Sequence, residues 1–77
     1  MARIERFEKR PIGGGKLHQP VLCGYACYEA DGERVLLLET YGTKDRKFPD
    51  QASQSIQLDE DAARELKHLI ESAFPEI

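Results

Sequence analysis

Few side chains in this sequence stand at spacings that chemistry would use, and each has a structural role competing with it. Asp59-Glu60-Asp61 is a run of three carboxylates, the residue type that shares acid and base roles in catalysis. It precedes an apolar stripe of helical period, where acids cap the first turn and meet the positive helix end. Ser53 and Ser55 need an activating base to act as nucleophiles, and no motif ties His18 or His68 to them. His18 sits beside a Gly-rich loop, where a protonated imidazole could contact an anion. His68 falls between apolar stripe positions and reads as a solvated or half-buried helix residue. Gly13-Gly14-Gly15-Lys16 has the composition of a phosphate cradle. A P-loop, however, places Ser or Thr after the lysine and a helix after the glycines. Here Leu17 follows, and the segment reads as a flexible connection.

The two cysteines are tested by geometry. Cys23 and Cys27 fall in "VLCGYACYEA", which reads as a strand. Four residues along a strand span about 13 Å, whereas a disulfide needs Cα atoms within roughly 7 Å. The same separation prevents them from sharing one zinc. Buried free thiols are expected, with no metal and no cofactor. No set of residues assembles an active site by these criteria, so the chain is read as no enzyme.

What remains is charge. "YGTKDRKFPD" sets Lys44, Arg46 and Lys47 between Tyr41 and Phe48, and Lys16 follows the glycines. Cations along a backbone with aromatics that stack on bases are the ingredients of single-strand nucleic-acid binding. The plain alternative is a solvated loop, with Asp45 and Asp50 partly neutralising the cations and Phe48 pinning it to the core. The chain as a whole is acidic, with a formal charge of −3. The charge is polarised: residues 1–16 hold five basic and two acidic side chains, residues 59–77 two basic and six acidic. Local patches rather than net charge govern such binding.

The elements that must position these groups are legible in part. Residues 1–20 read as an N-terminal arm or edge strand followed by a Gly- and Pro-rich loop. Residues 21–58 read as an antiparallel sheet. Asp31-Gly32 is a two-residue hairpin turn. It pairs Ala30 with Glu33, Glu29 with Arg34, Tyr28 with Val35, Cys27 with Leu36 and Ala26 with Leu37. One hairpin face then holds Cys23, Tyr25, Cys27, Leu36 and Leu38; the other holds Leu22, Ala26, Tyr28, Val35, Leu37 and Tyr41. Further on, "SQSIQLD" alternates, with Ile56 and Leu58 on one side. Residues 59–74 read as a helix with Asp59 as N-cap. Its stripe is Ala62, Ala63, Leu66, Leu69, Ile70, Ala73 and Phe74, and Pro75 ends it.

These elements make a single α+β domain, residues 1–77: a small antiparallel sheet of three to four strands in the order β-β-β-β-α, with the helix on one face. Seventy-seven residues form a marginal core unaided. One helix covers one face of a sheet, so the face of Leu22, Ala26, Tyr28, Val35 and Leu37 is expected to meet a partner. For so short a chain a second copy is the simplest one, and a homodimer is expected. No apolar run reaches the roughly 18 residues of a membrane span. The N-terminal "MARIERFEKR" lacks an apolar signal core, so no membrane association and a cytoplasmic location are expected.

The pieces "GERVLLLETY", "KDRKFPDQ" and "SIQLDEDAARELKHLI" together resemble the single-stranded-DNA-binding transcriptional coactivator domain of the positive cofactor family. The Ile56-x-Leu58-Asp59 step into "ARELKHLI" carries most of the resemblance, which spans about residues 25–70. It implies four curved antiparallel strands followed by one helix, a homodimer, and binding of single-stranded nucleic acid through sheet and basic loop. Carried over by position, it implies Lys44, Arg46 and Lys47 on phosphates and Tyr41 or Phe48 near bases, in a transcription-related regulator. The chain departs from the family in its acidity, in lacking lysine-rich strands, and in the Gly13–Gly15 loop. The competing expectation is a small homodimeric protein-interaction module or inhibitor that binds no nucleic acid.

Overall fold

The computed structural model describes residues 1–42 and 52–77. Four strands and one helix follow in the order β1 (Ala2–Ile4), β2 (Leu22–Ala30), β3 (Glu33–Tyr41), β4 (Gln54–Leu58) and α1 (Glu60–Ala73). The α+β architecture and the β-β-β-β-α order are those expected. The four strands form one sheet with the spatial order β1-β4-β3-β2. The sheet is mixed rather than antiparallel throughout as expected: β2–β3 and β3–β4 are antiparallel, while β1 runs parallel to β4, pairing Ala2 with Ile56 and Ile4 with Leu58. A parallel neighbour needs a long crossover, and the 17 residues between β1 and β2 supply the length to cross the sheet.

The β2–β3 hairpin has the register read from its turn, from Ala30↔Glu33 through Ala26↔Leu37 and on to Leu22↔Tyr41. Asp31 and Gly32 both take positive φ, 51° and 80°. That is the turn whose twist matches two antiparallel strands. Glu29 and Arg34 face each other across it, but the Arg34 guanidinium reaches Cys27 instead, Nη2 donating to Sγ at 3.7 Å.

β4 ends at Leu58 and α1 begins two residues later, with Asp59 as the only link. Asp59 is extended (φ −84°, ψ −178°), and its carboxylate accepts from the Ala62 amide at 2.9 Å. Glu60 and Asp61 fill the first turn, where the helix dipole favours anions. Arg64 binds both, at 2.8 Å to Glu60 and 3.0 Å to Asp61. These bonds, Glu60's first, raise its pKa. At the far end the Phe74 amide donates to the Ile70 carbonyl at 2.9 Å, and Pro75 follows.

The core is small. Among the described residues the buried apolar side chains are Val35, Leu58 and Ala62. Leu58 is the largest that is fully enclosed, at 2% exposure. It pairs with Leu36 in β3 and Ile4 in β1, and shares the foot of the helix with Leu36, Ala63 and Leu66. The helix therefore lies on the sheet face of Leu36 and Leu58, as its stripe requires. It shields only the end of that face nearest its own start. Ile56, one step up the same face, is 37% exposed, and Tyr25 is 81% exposed. Along the helix the stripe runs from Ala62 at 1% to Leu69 at 45% and Phe74 at 63%. With a single residue joining β4 to α1, the angle set at Asp59 carries the rest of the helix away from the sheet.

Candidate nucleic-acid interface

Of the candidate binding residues, Lys44, Arg46, Lys47 and Phe48 lie outside the described residues. The residues on either side of that segment are firmly joined. Ser53 donates its amide to the Thr40 carbonyl at 2.7 Å. Its hydroxyl donates to the same carbonyl at 3.1 Å and accepts from the Gly42 amide at 3.3 Å. The Thr40 hydroxyl lies 2.9 Å from it and fills the remaining lone pair if it donates. One serine thus ties the end of β3 to the start of β4, and the chain departs and returns at one end of the sheet. Leu22, the first residue of β2, is paired with Tyr41 at that same end. Lys16 lies six residues before Leu22 and is exposed.

Tyr41 is half-buried. Its hydroxyl donates to Glu39 Oε1 at 3.2 Å, and its ring packs over Gly24. A Cβ on residue 24 would stand 3.0 Å from Tyr41 Cε2. The glycine is what lets the ring lie flat on the strand. Ser55 donates to the other carboxylate oxygen of Glu39 at 3.2 Å.

The expected partner face is the one opposite the helix. Leu22, Ala26, Tyr28, Val35 and Leu37 do share it, by strand alternation and register. Leu22 is 69% exposed and Tyr28 37%, whereas Val35 is buried at 7%. The face is less apolar than the hairpin alone implies, because the alternation also places Glu39, Ser55 and Gln57 there. Gln57 Nε2 donates to the Tyr28 hydroxyl at 2.6 Å. A carboxylate amid this face means that an anionic strand crossing it would meet Glu39.

The thiols need correction. Cys23 and Cys27 are free as expected, but exposed rather than buried. They stand on the helix-side face of β2, where Cys27 shares an open cleft with Glu60 and Ala63 of the helix start. His18 is exposed, and so is His68, whose Nδ1 lies 3.6 Å from Glu71 Oε1. Gly13, Gly14 and Gly15 have open space around them. Among the described residues no three His, Cys, Asp or Glu side chains gather as a metal would need. No described helix is long and apolar enough to cross a membrane.

A second feature was not anticipated. Between the helix and the sheet lies an open apolar groove of about 430 Å³, floored by Leu36 and Leu58 and walled by Leu66 and Ile70, with Lys67 and Glu71 at its rim. The stripe announced the helix face, but how far it would lie on the sheet depends on an angle that no local pattern encodes. Comparison with protein-family models, with curated proteins and with solved structures returned no match.

Proposed function

We propose that this chain is a non-enzymatic binding protein that takes single-stranded nucleic acid at the end of the sheet where β3 gives way to β4. One observation carries the reading: the described residues that border the central cationic segment, and the strand start that the arm enters, meet at that end. The Ser53 ties hold Gly42 and Ser53 together there, so the segment bearing Lys44, Arg46 and Lys47 starts and finishes at this point. The arm bearing Lys16 enters β2 beside it, at the Leu22–Tyr41 pair. Cations grouped this way attract a phosphate backbone, and Phe48 offers a ring for a base to stack on. Glu39 on the face below favours a strand lying along this end, not across the sheet. Tyr41 acts in this reading as a strut that holds the end in shape.

The test is a titration of fluorescent single-stranded oligonucleotides at increasing salt. Four phosphate contacts give a log–log slope of about −3 for a single strand. Charge reversal of Arg46 and Lys47 together should lower affinity at least tenfold at low salt and leave the unfolding midpoint unchanged. Absence of binding at low salt ends this reading.

A second reading, a protein-interaction module or inhibitor, is favoured by the apolar groove and the exposed Leu69, Ile70 and Phe74 beside it. It predicts no oligonucleotide binding and no response to the charge reversal.

A further inference from the structure

The two edges of the sheet are built differently. The β1 edge is three residues long and carries Arg3, a short and charged edge of the kind proteins use to prevent unwanted pairing. The β2 edge is nine residues long, Leu22–Ala30, and exposed at every position but Gly24. It contains no proline, no lysine and no bulge, and its one charge, Glu29, is near its end. The turn fixes which backbone groups it offers. Ala30 and Glu33 flank a two-residue loop and exchange bonds with each other, so every second residue back along β2 also faces β3. The N–H and C=O groups of Cys23, Tyr25, Cys27 and Glu29 therefore point outward. Among the described residues no backbone group pairs with them, and residues 8–21 of the arm are all exposed rather than laid along this edge.

We propose that β2 is the subunit interface of a homodimer, pairing antiparallel with β2 of a second copy to make one continuous eight-stranded sheet. A second copy fits because the strand is complementary to itself. With Tyr25 opposite Tyr25 of the partner subunit, Cys23 faces the partner's Cys27 at two symmetric places. Each Glu29 then falls beyond the partner's strand, opposite its Val21, so no carboxylates meet and both stay in water. The edges left over are the two short β1 strands. The proposed interface is the edge of β2, not the face of Tyr28 and Val35, and it stands independently of nucleic-acid binding.

The experiment measures mass by light scattering at about 10–200 µM protein, for the natural sequence, Tyr25→Lys and Cys27→Lys. Tyr25→Lys sets two ammonium groups opposite each other at the centre of the pairing. Tyr25 and Cys27 are exposed, so either variant should retain its circular dichroism. The expected result is a dimer for the natural chain and a monomer for both variants. Dibromobimane, which links only adjacent thiols, should join two natural chains covalently, with Cys23 bound to Cys27 in the digested product. The two thiols of one chain are too far apart to be linked. A natural chain that is monomeric at 200 µM overturns the proposal. So does a dimer that survives in both folded variants, or a product linking only Cys23 to Cys23 or Cys27 to Cys27.

Discussion

Truncating two residues of one strand tests how far the helix covers the sheet. Leu58 and Ile56 are neighbours on the same face of β4, two positions apart. Leu58 is 2% exposed and Ile56 37%. Leu58→Ala removes an enclosed side chain beneath the helix start and leaves a cavity between Leu36, Ala63 and Leu66. Such truncations cost about 2–5 kcal/mol, and about 3 kcal/mol is expected here. Ile56→Ala removes a side chain already open to water on one side. Complete burial of an isoleucine contributes about 1.5–3 kcal/mol, and a partly covered one loses about 1–1.5 kcal/mol with no enclosed cavity to add. The difference between the two variants should be near 2 kcal/mol. That is a large share of the roughly 4–12 kcal/mol that holds a domain of this size folded. Urea unfolding followed by circular dichroism measures it. With a slope of about 1 kcal/mol/M, Leu58→Ala should lower the midpoint by about 3 M and Ile56→Ala by about 1 M. All samples are compared at one low protein concentration, because association would add stability by mass action. Equal losses for the two variants would refute the reasoning. They would mean that α1 lies along the whole face and shields Ile56 as well as Leu58.

Other perturbations follow from single contacts. Asp59→Ala removes the acceptor of the Ala62 amide and should cost about 1 kcal/mol, read as a lower urea midpoint with unchanged slope. Gly24→Ala forces its Cβ against the Tyr41 ring, which Glu39 holds; it should destabilise by about 1 kcal/mol. That loss should shrink in the Tyr41→Ala background, as a double-mutant cycle would show. Gly32→Ala places a Cβ at a φ of +80° and should cost about 1 kcal/mol, through the strain of the turn rather than any lost contact.

Local physics made much of this protein readable. Asp31-Gly32 sets the hairpin register, because a two-residue turn with positive φ leaves one way to align the strands beside it. Asp59, the stripe from Ala62 to Phe74, and Pro75 bracket the helix, because capping and a 3.6-residue period are properties of the segment itself. The alternation of Ser55, Ile56, Gln57 and Leu58 assigns the faces of β4 for the same reason. Three things depended on the tertiary structure. The first is strand order: nothing within "ARI" says that it lies parallel beside Gln54–Leu58, yet that pairing covers one edge and leaves β2 as the other. The second is exposure of Cys23 and Cys27. Their apolar neighbours suggest burial, but on an outer strand that meets only the start of α1 both thiols stay wet. The third is the angle of the helix, set by a one-residue joint and by the few side chains that fit beneath it. Periodicity determines which side of a helix is apolar. Only the packing of distant segments determines how much of that side is covered.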